Sequence, residues 1–356
     1  MSTEWNASGL RQRHPLPGAP RPIVIIGTGG IVNDAHLPAY RKAGFAVAGV
    51  YDVDADKARA TASRWGIEQV FGSVEEAAAT EGCIFDIGAP PVAHRAILAA
   101  LRPGSAVLIQ KPLGLDLAQA SAIRAVCRER HLAAAVNFQL RFAPMMEAVA
   151  AAQERGLLGR LIDIEVHLSL VTPWELFPHL IPNRRVEIVS HSIHYLDTIR
   201  AIAGEPRGVL ARTYHYPGSP LAQTRTSAIL DYGPERRVTL SINHHHDFGR
   251  RFQDATLRIE GERGAALVKL GLLLDYPRGE PDELWLAPRG GPWQAVPLEG
   301  AWFPDAFIGT MSNVQRFASG EDETLRTSVE DAWRTMALVE ACYRANEAPA
   351  TPVPQS

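Results

Sequence analysis

A β-branched run that ends in glycines and passes straight into a helical pattern constrains this chain more than any other feature. The run is Pro22-Ile23-Val24-Ile25-Ile26, followed by Gly27-Thr28-Gly29-Gly30-Ile31. Its apolar residues are continuous rather than alternating, as strands covered on both faces require. FAVAGVYD, IFDIGAP, SAVLIQKP and AAAVNFQ repeat the pattern, separated by IVNDAHLPAYRKAG, DADKARATASRWG, SVEEAAAT, PVAHRAILAALRPG and LDLAQASAIRAVCRERH. Several of these stretches open with Asp or Ser and close with Gly, which helix caps favour. Residues 22–143 are therefore expected to form an α/β Rossmann dinucleotide-binding domain. Right-handed crossovers give it a parallel sheet with helices on both faces, and ligands sit at the carboxyl ends of such strands.

Gly27 supplies a tight turn, and the absent side chain at Gly29 lets a pyrophosphate approach backbone N–H groups at a helix N-terminus. The third glycine of such a fingerprint falls at Val32, whose branched side chain is expected to loosen the helix-to-strand packing or shift the cofactor. Asp52 closes the second strand about 20 residues beyond the glycines. A carboxylate there accepts hydrogen bonds from two ribose hydroxyls and repels a 2′-phosphate, so NAD is favoured over NADP. The competing readings are a plain strand-to-helix turn for the glycines and, for Asp52, an N-cap of the helix in DADKARA.

After Pro144 the pattern changes to LIDIEVHLSLV, RGVLARTYHY, TSAILDYG, RVTLSINHHH, ATLRIEG, AALVKLG, DELWLAP and AVPLE, spaced by Gly, Pro and Asp turns. These read as strands and hairpins without crossover helices. Residues 144–348 are thus expected to form an α+β substrate and oligomerisation domain with a large, mostly antiparallel open sheet. One face is covered and the other is free for a homodimer or homotetramer contact. Val329, Ala332, Met336, Val339 and Tyr343 recur at spacings of three and four, marking an amphipathic helix that packs back onto the body. Residues 1–21 are polar and rich in Pro and Arg, expected as a flexible arm, and 349–356 as a loose tail.

The 356 residues carry 36 Lys+Arg against 39 Asp+Glu, with 46% hydrophobic and 21% charged residues. That balance excludes disorder and lacks the basic stripe that a nucleic-acid partner requires. No apolar run approaches the roughly 18 residues of a membrane span. Cys83, Cys127 and Cys342 have no CxxC spacing, so a reducing, cytoplasmic setting is expected.

In order and spacing these motifs resemble the Gfo/Idh/MocA family of glucose-fructose oxidoreductase and inositol dehydrogenase-like proteins, from about Pro22 to Ala348. IVIIGTGGIVNDAHLPAY is similar to the family's opening strand, glycine turn and HLPA helix. APPVAHRAILAAL, with Ala89, Pro90, Pro91 and His94, is similar to its PPxxH segment. In Gln110-Lys111-Pro112 the chain keeps the lysine and proline of the family's Glu-Lys-Pro and exchanges the acid. NFQLRFAP carries Gln139 and Arg141 into the second domain. EIVSHSIHYLDTIR resembles the family helix D-x-G-x-H-x-x-D: His194 and Asp197 match, Ser190 stands at the acid and Ser192 at the glycine.

The resemblance implies an NAD(P)-dependent dehydrogenase acting on a ring hydroxyl of a sugar, sugar derivative or cyclic polyol. Lys111 would hold the hydroxyl and stabilise alkoxide charge, and His194 would act as general base. On a regular helix Ser190, His194 and Asp197 share a face, so Asp197 is expected to orient the imidazole and Ser190 to offer a hydroxyl. His191 either substitutes for the missing acid or packs on the far side. Trp174 of VTPWELFPHLIPNRR, a loop with Phe177, His179, Arg184 and Arg185, is expected to stack on a sugar ring. In His244-His245-His246 only His244 and His246 converge if the strand continues, two ligands being too few for a metal. Two rival functions are a redox-neutral NAD-dependent glycoside-processing enzyme and a non-enzymatic sensor of NAD or sugar.

Overall fold

The structure, a computed structural model, describes residues 5–176 and 180–354. Strands β1 (Ile23–Ile26), β2 (Val47–Tyr51), β3 (Ile84–Ile87), β4 (Ala106–Ile109) and β5 (Ala133–Val136) form a parallel sheet in the order β2-β1-β3-β4-β5. Alternate residues explain the continuous apolar runs: Val24 and Ile26 enter one core cluster, Ile23 and Ile25 the other. Helices α1 (Leu37–Ala43), α2 (Ala55–Trp65), α3 (Val74–Ala78), α4 (Pro91–Ala100) and α5 (Leu117–Glu129) connect the strands. Asp54, Ser73 and Asp116 cap α2, α3 and α5 through side-chain oxygens that accept backbone N–H groups of the first turn.

The chain leaves this sheet through α6 (Pro144–Glu154) and enters a sheet of eight strands. They are β6 (Leu161–Ser169), β7 (Gly208–Tyr214), β8 (Arg225–Asp231), β9 (Arg237–Asn243), β10 (Asp254–Gly261), β11 (Gly264–Lys269), β12 (Glu283–Pro288) and β13 (Gln294–Ala295). The order is β13-β12-β11-β10-β6-β9-β8-β7, and every neighbouring pair is antiparallel except β6 with β9. That parallel pair exists because α7 (Ile193–Ala203) and the β7–β8 hairpin intervene, supplying the long connection that parallel neighbours need. Ile164, Val166, Leu168, Val238, Leu240, Leu257 and Ile259 point inward and are buried. The outer face carries charges, with Arg237 bridging Asp163 at 2.6 Å and Glu165 at 3.2 Å.

Helices α8 (Ala306–Ser319) and α9 (Val329–Glu347) return to the first half. Phe307, Met311 and Val314 of α8 join the cluster that covers the Ile23/Ile25 face of the parallel sheet. A parallel sheet needs cover on both faces, and here part of that cover comes from beyond residue 300. The amphipathic helix around Met336 is α9; all five residues singled out for it are buried.

The N-terminal segment departs from expectation. Residues 5–21 have no helix or strand, as their composition implies, but they are tied down rather than loose. The Trp5 indole N–H donates to Leu157 O at 3.1 Å, Arg11 pairs with the fully buried Glu147 at 3.2 Å, and His14 meets Asp322 at 2.7 Å. The partners lie 136 to 308 residues away, so nothing local in the sequence announces them. Among the described residues no helix is long and apolar enough to cross a membrane.

Candidate active site

The carboxyl end of β1 is shaped by one glycine that cannot be exchanged. Gly27 has φ +97°, and a Cβ there would lie 2.5 Å from Ala89 N, so both backbone conformation and close approach demand glycine. Gly29 is exposed, and an added Cβ would meet nothing within 4 Å. The turn therefore has open space over the start of the helix that begins at Gly30, the room a pyrophosphate needs. Val32 does not loosen the packing as expected. It is fully buried, and a Cβ on Gly88 would sit 2.4 Å from its Cγ2. The missing third glycine is compensated across the interface, where Gly88 at the end of β3 makes room for the branched side chain.

Asp52 does not cap α2, a task done by Asp54. Its Oδ2 accepts from Thr28 N at 2.7 Å and from Thr28 Oγ1 at 3.1 Å, and its Oδ1 accepts from Asp54 N at 3.0 Å. Oδ2 is saturated by its two donors while Oδ1 keeps a further lone pair, and the residue is half-buried beside the glycine turn. Pro90 precedes and Pro91 opens α4. His94 is fully buried, and its Nε2 donates to Ala89 O at 2.9 Å. Burial pushes its pKa down to about 4. It therefore holds the Ala89-Pro90 turn from below.

Beneath the site lies a polar chain that the sequence did not reveal. His36, in a π-turn over Val32–His36, places Nδ1 2.7 Å from Asp86 Oδ2, which also accepts from Tyr40 at 2.8 Å. The amide nitrogens of Gln110 and Asn137 approach His36 Nε2 at 3.2 and 3.3 Å. Two NH₂ donors make Nε2 the acceptor, so the ring proton sits on Nδ1 and points at Asp86. This accounts for Gln110 in place of an acid: an amide can donate to that nitrogen and a carboxylate cannot. Gln110 Oε1 also accepts from Lys111 N at 2.7 Å, which fixes the turn from which Lys111 departs.

Lys111 Nζ donates to the carbonyl of Ser190 at 2.8 Å, so Ser190 contributes its backbone and not its hydroxyl. Burial pushes the Lys111 pKa down to about 8. Burial and, second, the Lys111 charge hold His194 well below its ordinary value, which keeps the imidazole neutral and able to accept a proton. Its ring packs edge-on against Phe138 at 6.4 Å.

Asp197 and Arg141 are corrected. Asp197 does not orient His194; it accepts from Arg141 Nε and Nη2 at 2.5 and 2.6 Å and from Thr335 at 2.8 Å. Arg141 also reaches Asp331 at 2.6 Å. Both are buried in an ion network that joins the segment after β5 to α7 and α9. A π-turn spans Ile188–Ser192. Its wider turn alters the angular offset of Ser190 from the residues of α7, while Asp197 is claimed by the buried Arg141 and Thr335. Gln139 is buried with Oε1 unpartnered.

The triple histidine is also rearranged. Strand β9 ends at Asn243, so alternation no longer applies. His245 stacks on Tyr216 at 4.1 Å and His246 packs near Phe248, whereas His244 turns inward to lie 4.3 Å from the His191 ring and 5.2 Å from Trp174. Glu187, missed by the sequence reading, lies fully buried beside them, its Oε1 3.4 Å from His244 Nε2. The signal was present as Glu187 four residues before His191. Arg185 is engaged by Glu340 at 2.6 Å, and Phe177 and His179 lie outside the described residues.

The family described as "Oxidoreductase family, NAD-binding Rossmann fold" matches residues 21–138. The chain is 25% identical over 328 residues to D-apiose dehydrogenase of Paraburkholderia graminis, covering 88% of this chain and 84% of that protein. Its fold is shared with an oxidoreductase of Agrobacterium radiobacter solved with NAD+, L-tartaric acid and magnesium (TM-score 0.76, 21% identity, 92% and 97% of the two chains). It is shared equally with a levoglucosan dehydrogenase solved with NADH and levoglucosan (TM-score 0.75, 16% identity, 92% and 98%). With its glycine turn, lysine-proline turn and antiparallel second sheet, this chain carries over residues 21–138 the NAD-binding Rossmann domain of the oxidoreductase family and shares the fold of these oxidoreductases over nine-tenths of its length.

Proposed function

We propose that the protein oxidises a ring hydroxyl of a sugar, sugar derivative or cyclic polyol with NAD, with Lys111 and His194 at the reacting carbon. The observation that carries this reading is a buried amine and a neutral imidazole in mutual electrostatic reach, the amine following the carboxyl end of β4. Similarity to enzymes named for D-apiose and levoglucosan supports the substrate class. Gly27, Gly29 and Gly30 would receive the pyrophosphate, and Thr28 and Ile31 flank it. Asp52 would bind the adenosine ribose, and Ala89, Pro90, Pro91 and Gln110 would wall the nicotinamide side.

Bound NAD supplies the hydride acceptor. The hydroxyl carbon loses its hydrogen as hydride and the hydroxyl oxygen loses its proton, which His194 accepts. Lys111, held by Ser190 O, donates a hydrogen bond to that oxygen and stabilises its developing negative charge. Trp174 and His191 would bound the sugar on the side of the second sheet, whose charged outer face we assign to contact with a second copy. Three free buried cysteines agree with a cytoplasmic setting.

The test is NADH formation by the purified protein across aldoses, inositols and sugar acids, with NADP in parallel. One responsive compound class and a silent Lys111→Ala variant that still binds NAD establish the reading. Tight NAD binding with no net NADH, but turnover of a glycoside, replaces it with redox-neutral chemistry. No turnover at all leaves a sensor.

A further inference from the structure

The carboxylate of Glu187 is fully buried, and no Lys or Arg nitrogen pairs with it among the described residues. Two hydroxyls hold it: Ser192 donates to Oε1 at 2.6 Å and Thr226 donates to Oε2. Facing it is His244, also fully buried, whose Nδ1 is engaged by the Thr172 hydroxyl at 2.7 Å and whose Nε2 has no hydrogen-bond partner. His191 completes the group and leaves its Nδ1 unpartnered. One ligand atom from each of the three residues lies within 4.8 Å of the others.

We infer that Glu187, His191 and His244 form a binding site for a divalent cation of the zinc class. Two imidazoles and one carboxylate are a common donor set for zinc, with a fourth position left for water or substrate. The 3.4 Å between Glu187 Oε1 and His244 Nε2 matches the roughly 3.3 Å edge of a tetrahedron with bonds of about 2 Å. The His191 ligand atom lies within 4.8 Å of the other two, so it must close in by up to about 1.5 Å to complete the tetrahedral edges. The outer partners are those of a built site. Thr172 fixes the ring orientation of His244, and Ser192 and Thr226 orient the carboxylate, as second-shell groups do around metal ligands. A cation also resolves the chemistry of the pocket, where a carboxylate oxygen and an unpartnered ring nitrogen face each other without a hydrogen bond of ordinary length.

The site adjoins the catalytic pair. His191 lies in the fields of His194 and Lys111, and the Trp174 ring packs on His244. The binding claim does not rest on the dehydrogenase reading and is tested without activity.

Metal content of the purified full chain is measured by mass spectrometry, and chelator-treated protein is titrated with zinc chloride by calorimetry. Cobalt(II) serves as a spectroscopic probe of low-symmetry nitrogen and oxygen ligation. We expect one zinc per chain. Glu187→Gln and His244→Asn should each weaken binding at least about 100-fold, and Thr172→Val about 10- to 100-fold. Because Glu187 and His244 are buried, the half-buried His191→Gln provides the second ligand test, and circular dichroism with NAD binding checks the fold. Absence of stoichiometric zinc, or a wild-type affinity in folded His191→Gln and Thr172→Val alike, overturns the inference.

Discussion

The two ends of the site are built in opposite ways. The nucleotide end draws on neighbours: Gly27 to Val32, Asp52 and Gly88 lie within 62 positions and come together because consecutive parallel strands pair side by side. The opposite end, assigned by our proposal to the substrate, draws on Lys111, Trp174, Glu187 to His194 and His244, which come from both sheets and the connections between them. Each end contains a π-turn, at Val32–His36 and at Ile188–Ser192. At the first, the altered offset is absorbed by His36 reaching the buried Asp86. At the second, it offsets Ser190 from α7, so that Ser190 presents its carbonyl to Lys111. Local pattern therefore specifies the first end, while tertiary packing specifies the second.

Lys111→Ala is the strongest test of that division. On the proposed role of Lys111 in stabilising alkoxide charge, its removal should lower kcat/KM by about 10²- to 10⁴-fold while NAD affinity, measured by fluorescence, stays unchanged. If affinity falls instead, Lys111 belongs to the nucleotide end. The pH profile sharpens the same point. With its pKa lowered to about 8, Lys111 is an ammonium below that pH and an amine above it, so kcat/KM should fall as pH rises through about 8.

Arg141→Ala separates substrate binding from architecture. It leaves the buried Asp197 with only the Thr335 hydroxyl and Arg200 at 4.0 Å in place of its bidentate partner, so chemical denaturation should show a loss of about 3 kcal/mol. Unchanged stability with a raised KM would return Arg141 to the substrate.

Acid stability probes the turn between the two ends. The folded pKa of His94 is about 4 against an ordinary 6.5. Between those values the unfolded chain takes up a proton that the folded chain refuses. Stability present above pH 6.5 is therefore lost as pH falls toward 4, by about 3 kcal/mol. His94→Gln should flatten that limb of the denaturation curve, and an unaltered slope would assign the lability to His191 and His194.

The smallest effect concerns cofactor choice. Asp52→Ala removes the charge that repels a 2′-phosphate, and the NAD-to-NADP preference should fall about tenfold, equivalent to roughly 1.4 kcal/mol. A larger collapse of both affinities would mean that the hydrogen bonds from Thr28 and Asp54 matter more than the ribose contact.

Much of the fold was legible from residues 22–143, because strand and helix periods alternate cleanly and caps such as Asp54 and Asp116 mark the helix starts. Lys111 and His194 were singled out through family resemblance, and the structure places them within electrostatic reach of each other. Three features were not. Val32 looked like a defect because its compensating partner, Gly88, is 56 positions away. His244 was paired with His246 because a continuing strand was assumed beyond Asn243. Residues 5–21 looked loose because proline and arginine say nothing about buried acids such as Glu147.

By itself the sequence determined the sheet classes, the glycine turn, the lysine at its strand end and the covered face of α9, since each follows from local period or backbone permission. Only the tertiary structure decided that α8 covers the first sheet, that Asp197 serves Arg141, and that Glu187, His191 and His244 share one buried pocket. Those outcomes depend on which distant side chain satisfies a buried charge or an unpaired ring nitrogen, and that choice is made when the two sheets pack.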